Sequence, residues 1–140
     1  MIYGIGVDLV HTPRFEKAIE RWGGRFIQRV FTPNEVKLCF DRPSPSSAFA
    51  LRFAAKEAFS KALGMGMKRG LRWREIEVFN DPKGKPGLAL QGNSLELCRS
   101  RGVIASHLSL SDDGEYALAM VVLERGKGSE EGSSCGRPSM

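Results

Sequence analysis

Residues 4 to 10 read GIGVDLV, a strand with two very unequal faces. Side chains alternate along a strand, so Tyr3, Ile5, Val7 and Leu9 line one face while Gly4, Gly6 and Asp8 line the other. Glycine weakens a strand unless something must approach its backbone, and aspartate is depleted in strands because its carboxylate needs water or a partner. The glycine face therefore leaves room beside a carboxylate, and the fold has to supply what fills it.

After this strand, Thr12 and Pro13 predict an N-cap and first helical position, and Gly23-Gly24 predicts the stop. Phe15, Ala18, Ile19 and Trp22 make the buried stripe of that helix. A second short helix follows in FTPNEVKLCF, where Thr32 and Glu35 have capping-box spacing. The strongest helix runs from about Ser47 to Leu63 and closes at Gly64. REIEVFND and GLAL read as strands around the turn NDPKGKP, SLELCRSRG as a helix capped by Ser94 and Gly102, and IASHLSLS-DDG-EYALAMVVLE as a closing hairpin. Helices early and hairpins late predict an α+β fold in which an antiparallel sheet packs against a long helix.

On a helical wheel of roughly 100° per residue, Ala50, Leu51, Ala54, Ala55, Ala58, Phe59, Ala62 and Leu63 fill one arc of the long helix. Glu57 and Lys61 stand at its border; Arg52, Lys56 and Ser60 are expected on the opposite, polar side. Glu57 and Lys61 read either as a surface i,i+4 pair or as part of a site. The alanines beside Glu57 favour the site, because they let another backbone come close, as the glycines beside Asp8 do. In the closing hairpin, Ala105, His107, Ser109 and Ser111 share one face, with Ile104, Ser106, Leu108 and Leu110 on the other. His107 alone reads as a hydrogen-bonded structural histidine as readily as a catalytic one.

At 140 residues, 41% hydrophobic and 26% charged, the chain fits one domain. Residues 1–125 are expected to form it, with residues 126–140, rich in Gly and Ser, as a flexible tail. The apolar runs are too short and too interrupted for a membrane span and no signal-like segment leads the chain, which implies a cytoplasmic protein. Three dispersed cysteines and two histidines make neither a zinc site nor a disulfide framework. The net charge of +5 admits an acidic protein, a phosphorylated small molecule or a nucleic acid as partner. No nucleic-acid motif or aromatic stacking platform is present, and no GxGxxG. Two carboxylates with open positions suit a hard cation such as Mg²⁺, which prefers oxygen ligands and keeps waters or substrate phosphates. The residues by themselves lead to metal-assisted chemistry on a phosphate.

Three segments, GIGVDLV, RFAAKEAFSKALG and HLSLS, together with the GKP turn, resemble the signatures of the holo-[acyl-carrier-protein] synthase family, the short bacterial 4'-phosphopantetheinyl transferases. The resemblance spans residues 1 to about 124. It implies transfer of the phosphopantetheine arm of coenzyme A to a serine of apo acyl carrier protein, releasing adenosine 3',5'-bisphosphate, in fatty acid biosynthesis. Asp8 and Glu57 match the family's Mg²⁺ ligands, and the bare glycine face would make room for metal, water and phosphate. Lys61 would stabilise or protonate the leaving phosphate, and His107 matches the active-site histidine. Arg52, Ser60, Lys61, Gly64 and His107 match positions that contact coenzyme A. Arg14 and Arg21, with Arg25 near a third such position, match arginines that dock the carrier protein. The family's trimer, with active sites between subunits, is expected here as well. Asp112 stands where a second histidine is often found, so the serine proton goes to Asp112, Asp113, His107 or, the favoured choice, a water at the ion. A nucleic-acid-binding module and a metal-dependent phosphohydrolase are the competing classes.

Overall fold

The computed structural model describes residues 1–127. Strand β1 (Ile2–His11) leads into helices α1 (Thr12–Val30), α2 (Pro33–Phe40) and α3 (Pro45–Leu63). A 3-10 turn at Trp73–Glu75 then precedes β2 (Ile76–Asn80), β3 (Pro86–Leu90), α4 (Gly92–Ser100), β4 (Val103–Asp113) and β5 (Tyr116–Arg125). The expected α+β architecture holds: β1, β5 and β4 form an antiparallel sheet in that order, and β2 and β3 pair as a separate hairpin. The last strand ends at Arg125. The expected flexible tail, Cys135 included, lies from residue 128 onward outside the described residues.

Several local signals differ from their expectation for identifiable reasons. The cap of α1 is His11, whose Nδ1 accepts from the Arg14 N–H at 3.3 Å, and not Thr12. Gly23 breaks the helical backbone where a stop was expected, at φ 65° and ψ −151°, but a second helical stretch follows at once and carries α1 as far as Val30. Trp22, the last residue before that kink, is 61% exposed and not buried as its spacing predicted. Helix α3 starts earlier than expected, at Pro45, and Gly64 ends it in the left-handed conformation at φ 80°. Ser94 lies inside α4 and does not cap it; its N–H and hydroxyl both donate to Glu75 Oε1 at 2.9 Å. The Thr32–Glu35 capping box forms as predicted, and the Glu35 carboxylate also accepts from the Val78 N–H at 2.7 Å.

Helix α3 is the centre of the molecule. Ala54, Ala55, Ala58 and Phe59 are fully buried, and so are Arg52, Lys56 and Ser60, which were expected on a polar side. The wheel describes a helix with one dry face, whereas α3 has the sheet on one side and α1, α2 and β2 on the other. Lys56 is accommodated by a full set of acceptors. Its Nζ donates to Glu35 Oε1 and Val30 O at 2.6 Å and to Trp73 O at 3.1 Å. Burial lowers its pKa, and the Glu35 carboxylate opposes that shift. One ammonium thus ties together the end of α1, the cap of α2 and the start of the second hairpin.

Sheet and helix meet through small residues. A Cβ on Gly6 would stand 2.7 Å from Ala62 N and 2.9 Å from Ala58 C, and would collide with Ala58 O; one on Gly4 would collide with Ala62 O. The bare face of β1 is therefore filled by the backbone of α3. This corrects the expectation that the glycines make room for metal and phosphate. Glycine is needed because only a strand without side chains can lie this close to a helix.

Candidate functional site

The close approach of β1 to α3 has a chemical consequence: Asp8, next after Gly6 on that face, arrives beside the second half of the helix. Lys61 Nζ donates to Asp8 Oδ1 at 2.9 Å and to Val7 O at 3.1 Å. Among the described residues Lys61 forms no ion pair with Glu57, so the surface i,i+4 reading gives way to a contact between elements. The Asp8 side chain is only 15% exposed, while that of Lys61 is 52% exposed and free to turn toward a ligand. Glu57 is half-buried beside them. Burial raises its pKa first and the Asp8 carboxylate raises it further, with Lys61 opposing. Two carboxylates crowded against one ammonium leave room, electrostatically, for another cation.

No group of three or more His, Cys, Asp or Glu side chains able to hold a metal occurs among the described residues. A closed all-protein cage is thereby absent there. Asp8 and Glu57 nevertheless fit Mg²⁺, which characteristically uses one or two carboxylates and fills its other positions with water and phosphate. Gly64 follows one turn beyond Lys61, exposed, its N–H bonded to Lys61 O at 2.9 Å.

The other expected site residues divide. Arg52 and Ser60 face inward: Arg52 donates to Ala48 O and Asn80 Oδ1 at 3.3 Å, and Ser60 to Glu57 O at 2.7 Å. Arg52 is 3% and Ser60 0% exposed in this chain, so neither is presented to a ligand here. Arg14, Arg21 and Arg25 are exposed on α1 as expected, although Arg25 lies past the Gly23 kink. His107 is not brought to the carboxylates. It pairs across β5 with Val122, which pairs with Ile5, so it belongs to the opposite face of the sheet from Asp8. Asp112, by contrast, shares the face of Asp8: Val10, Ala117 and Asp112 form the row next to Asp8, Ala119 and Leu110.

That opposite face is apolar and open. Ile5, Val7 and Leu9 of β1 are 57%, 48% and 59% exposed, and Leu118 and Met120 of β5 continue the patch. His107, Ser109 and Ser111 of β4 form its edge. Alternation had separated the two faces of β1 correctly, but it could not say which one the helix would cover.

A helix laid on a three-stranded sheet, with a carboxylate from the first strand beside a carboxylate and a lysine from the helix, defines a class. Residues 4–121 match the model of the 4'-phosphopantetheinyl transferase superfamily. A holo-[acyl-carrier-protein] synthase of Geobacter sulfurreducens is 46% identical over 125 residues, covering 89% of this chain and 99% of that protein. Its counterpart from Geobacter sp. strain M21 is 49% identical over 125 residues, covering 89% of this chain and 100% of that one. The crystal structure of the Neisseria meningitidis holo-[acyl-carrier-protein] synthase superposes with a TM-score of 0.85 at 36% identity, covering 89% of this chain and all of that one. The Helicobacter pylori enzyme, solved in complex with coenzyme A, gives 0.76 at 36% identity, over 86% and 99% of the two chains. The chain belongs to the holo-[acyl-carrier-protein] synthase family.

Proposed function

We infer that the chain transfers the 4'-phosphopantetheine arm of coenzyme A to a serine of apo acyl carrier protein, with release of adenosine 3',5'-bisphosphate, as a Mg²⁺-dependent cytoplasmic enzyme of fatty acid biosynthesis. The observation that carries this reading is the meeting of Asp8, Glu57 and Lys61, contributed by two of the three signature segments. Asp8 and Glu57 would hold Mg²⁺. The ion, when bound, would polarise the reacting phosphate and neutralise charge on the pyrophosphate.

The side chains of the chain do the rest. Lys61, half exposed on a rigid helix, supplies a positive charge and a proton at Nζ to the leaving phosphate. Gly64 leaves the helix end without a side chain, which suits contact with coenzyme A near Lys61. The exposed Arg14, Arg21 and Arg25 present a positive surface that would steer an acidic carrier protein. Asp112, exposed on the Asp8 face, Asp113 and His107 are this chain's own alternatives to the favoured water as acceptor of the serine proton.

His107 and the Asp8 cluster lie on opposite faces of one sheet, so a single chain does not combine them. A neighbouring subunit would, if the apolar faces of the sheets packed together with the β4 edge at the seam. That arrangement is the expected homotrimer, and it buries Ile5, Val7, Leu9, Leu118 and Met120. Sedimentation at micromolar concentration tests it; a monomer removes it. The reaction is tested by the intact mass of apo acyl carrier protein incubated with the chain and coenzyme A. A gain of one phosphopantetheine with Mg²⁺ and none with EDTA is the expected result; no gain with either overturns the reading.

A further inference from the structure

His107 has a partner that its own strand does not reveal. Its Nε2 lies 2.6 Å from Oε1 of Glu124, on β5. His107 stands opposite Val122 and Glu124 stands opposite Ala105, so the two side chains meet diagonally on the outward face of the sheet. Long side chains reach that diagonal, and Ala105 leaves the space open. Both groups are accessible, at 58% and 42% for His107 and Glu124.

We propose that Glu124 is a positioning residue for His107: its carboxylate accepts the Nε2–H, holds the ring, and leaves Nδ1 as the nitrogen that meets the substrate. The inference rests on the reading of His107 as a site residue. Its chemistry is general, since the hydrogen bond made by one ring nitrogen decides what the other can do. A carboxylate behind a histidine fixes tautomer and orientation without touching the reacting atoms. The Glu124 carboxyl is itself held below its usual range, chiefly by the hydrogen bond from His107. Nδ1 of His107 has no hydrogen-bond partner among the described residues.

The test compares Glu124→Ala with Glu124→Gln, because glutamine keeps an acceptor oxygen but no charge. Ring ¹⁵N shifts and the exchange rate of the ring N–H report the Nε2–H hydrogen bond of His107; the chain has two histidines, and His107→Ala identifies the signals. The expected result in E124A is loss of the Nε2–H hydrogen bond, read as faster exchange of that proton, with kcat about tenfold lower. E124Q is expected to recover the hydrogen bond and to stand within about threefold of wild type in kcat. An unchanged Nε2–H exchange rate in E124A, or equal damage in both variants, overturns the proposal. Full turnover by His107→Ala would instead overturn the catalytic place of His107. Impaired His107→Ala beside a normal E124A would remove only the role given to Glu124.

Discussion

Replacing Lys56 by methionine keeps the apolar stem and most of the volume while deleting the ammonium, which isolates what the buried ion pair does. In the wild type the amine satisfies Glu35, Val30 O and Trp73 O. In K56M the Glu35 carboxylate, fully buried, keeps only the N–H groups of Thr32 and Val78. The two carbonyls lose this donor. Breaking a buried pair from one side leaves an uncompensated charge and is destabilising by about 3–5 kcal/mol. Set against a typical total of about 5–15 kcal/mol, that is a large share of the stability. Urea unfolding, run at several protein concentrations because assembly adds to apparent stability, measures it. The double variant K56M/E35Q removes the stranded charge but keeps one acceptor oxygen where the Thr32 and Val78 N–H groups used two, so it is expected to recover part of the loss. A K56M variant within about 1 kcal/mol of wild type, with an unchanged denaturant slope, would refute the reasoning by putting the pair among weak surface pairs.

Gly6→Ala drives a methyl into the backbone of Ala58 and Ala62; it is expected to destabilise by about 1–3 kcal/mol and to raise the Mg²⁺ concentration needed for half-maximal transfer, because Asp8 is displaced from Glu57. Burial and Asp8 raise the Glu57 pKa, so its protonated form favours the fold. That contribution is full below the unfolded value of about 4.3 and is lost as pH rises through the folded value. E57Q should therefore be more stable than wild type in EDTA at about pH 7 and lose that advantage near about pH 4, while only the wild type gains thermal stability from Mg²⁺; melting curves across pH decide this. Arg14→Glu should raise KM for the carrier protein far more than that for coenzyme A, and flatten the salt dependence of the former. Equal changes in both constants would count against α1 as the docking surface.

Much of the fold was legible because it depends on neighbours in sequence. The Thr32–Glu35 cap, the Gly64 stop, the closing hairpin and the division of β1 into a glycine face and an apolar face all follow from backbone preference and side-chain alternation. Asp8 stood out because a carboxylate breaks a strand pattern, whereas Glu57 and Lys61 also read as a local i,i+4 pair and were singled out by the alanines beside them and by the family resemblance. Tertiary structure alone decided which face of β1 is covered, because alternation has no sign until a helix lands on one side. It also reversed Arg52, Lys56 and Ser60, since a helix enclosed by elements distant in sequence has no solvent side. It exchanged Glu57 for Asp8 as the partner of Lys61, and it gave Lys56 to Glu35 and His107 to Glu124. Those pairings join residues remote along the chain, or across a hairpin, and form only where folded elements meet; no spacing within one element encodes them.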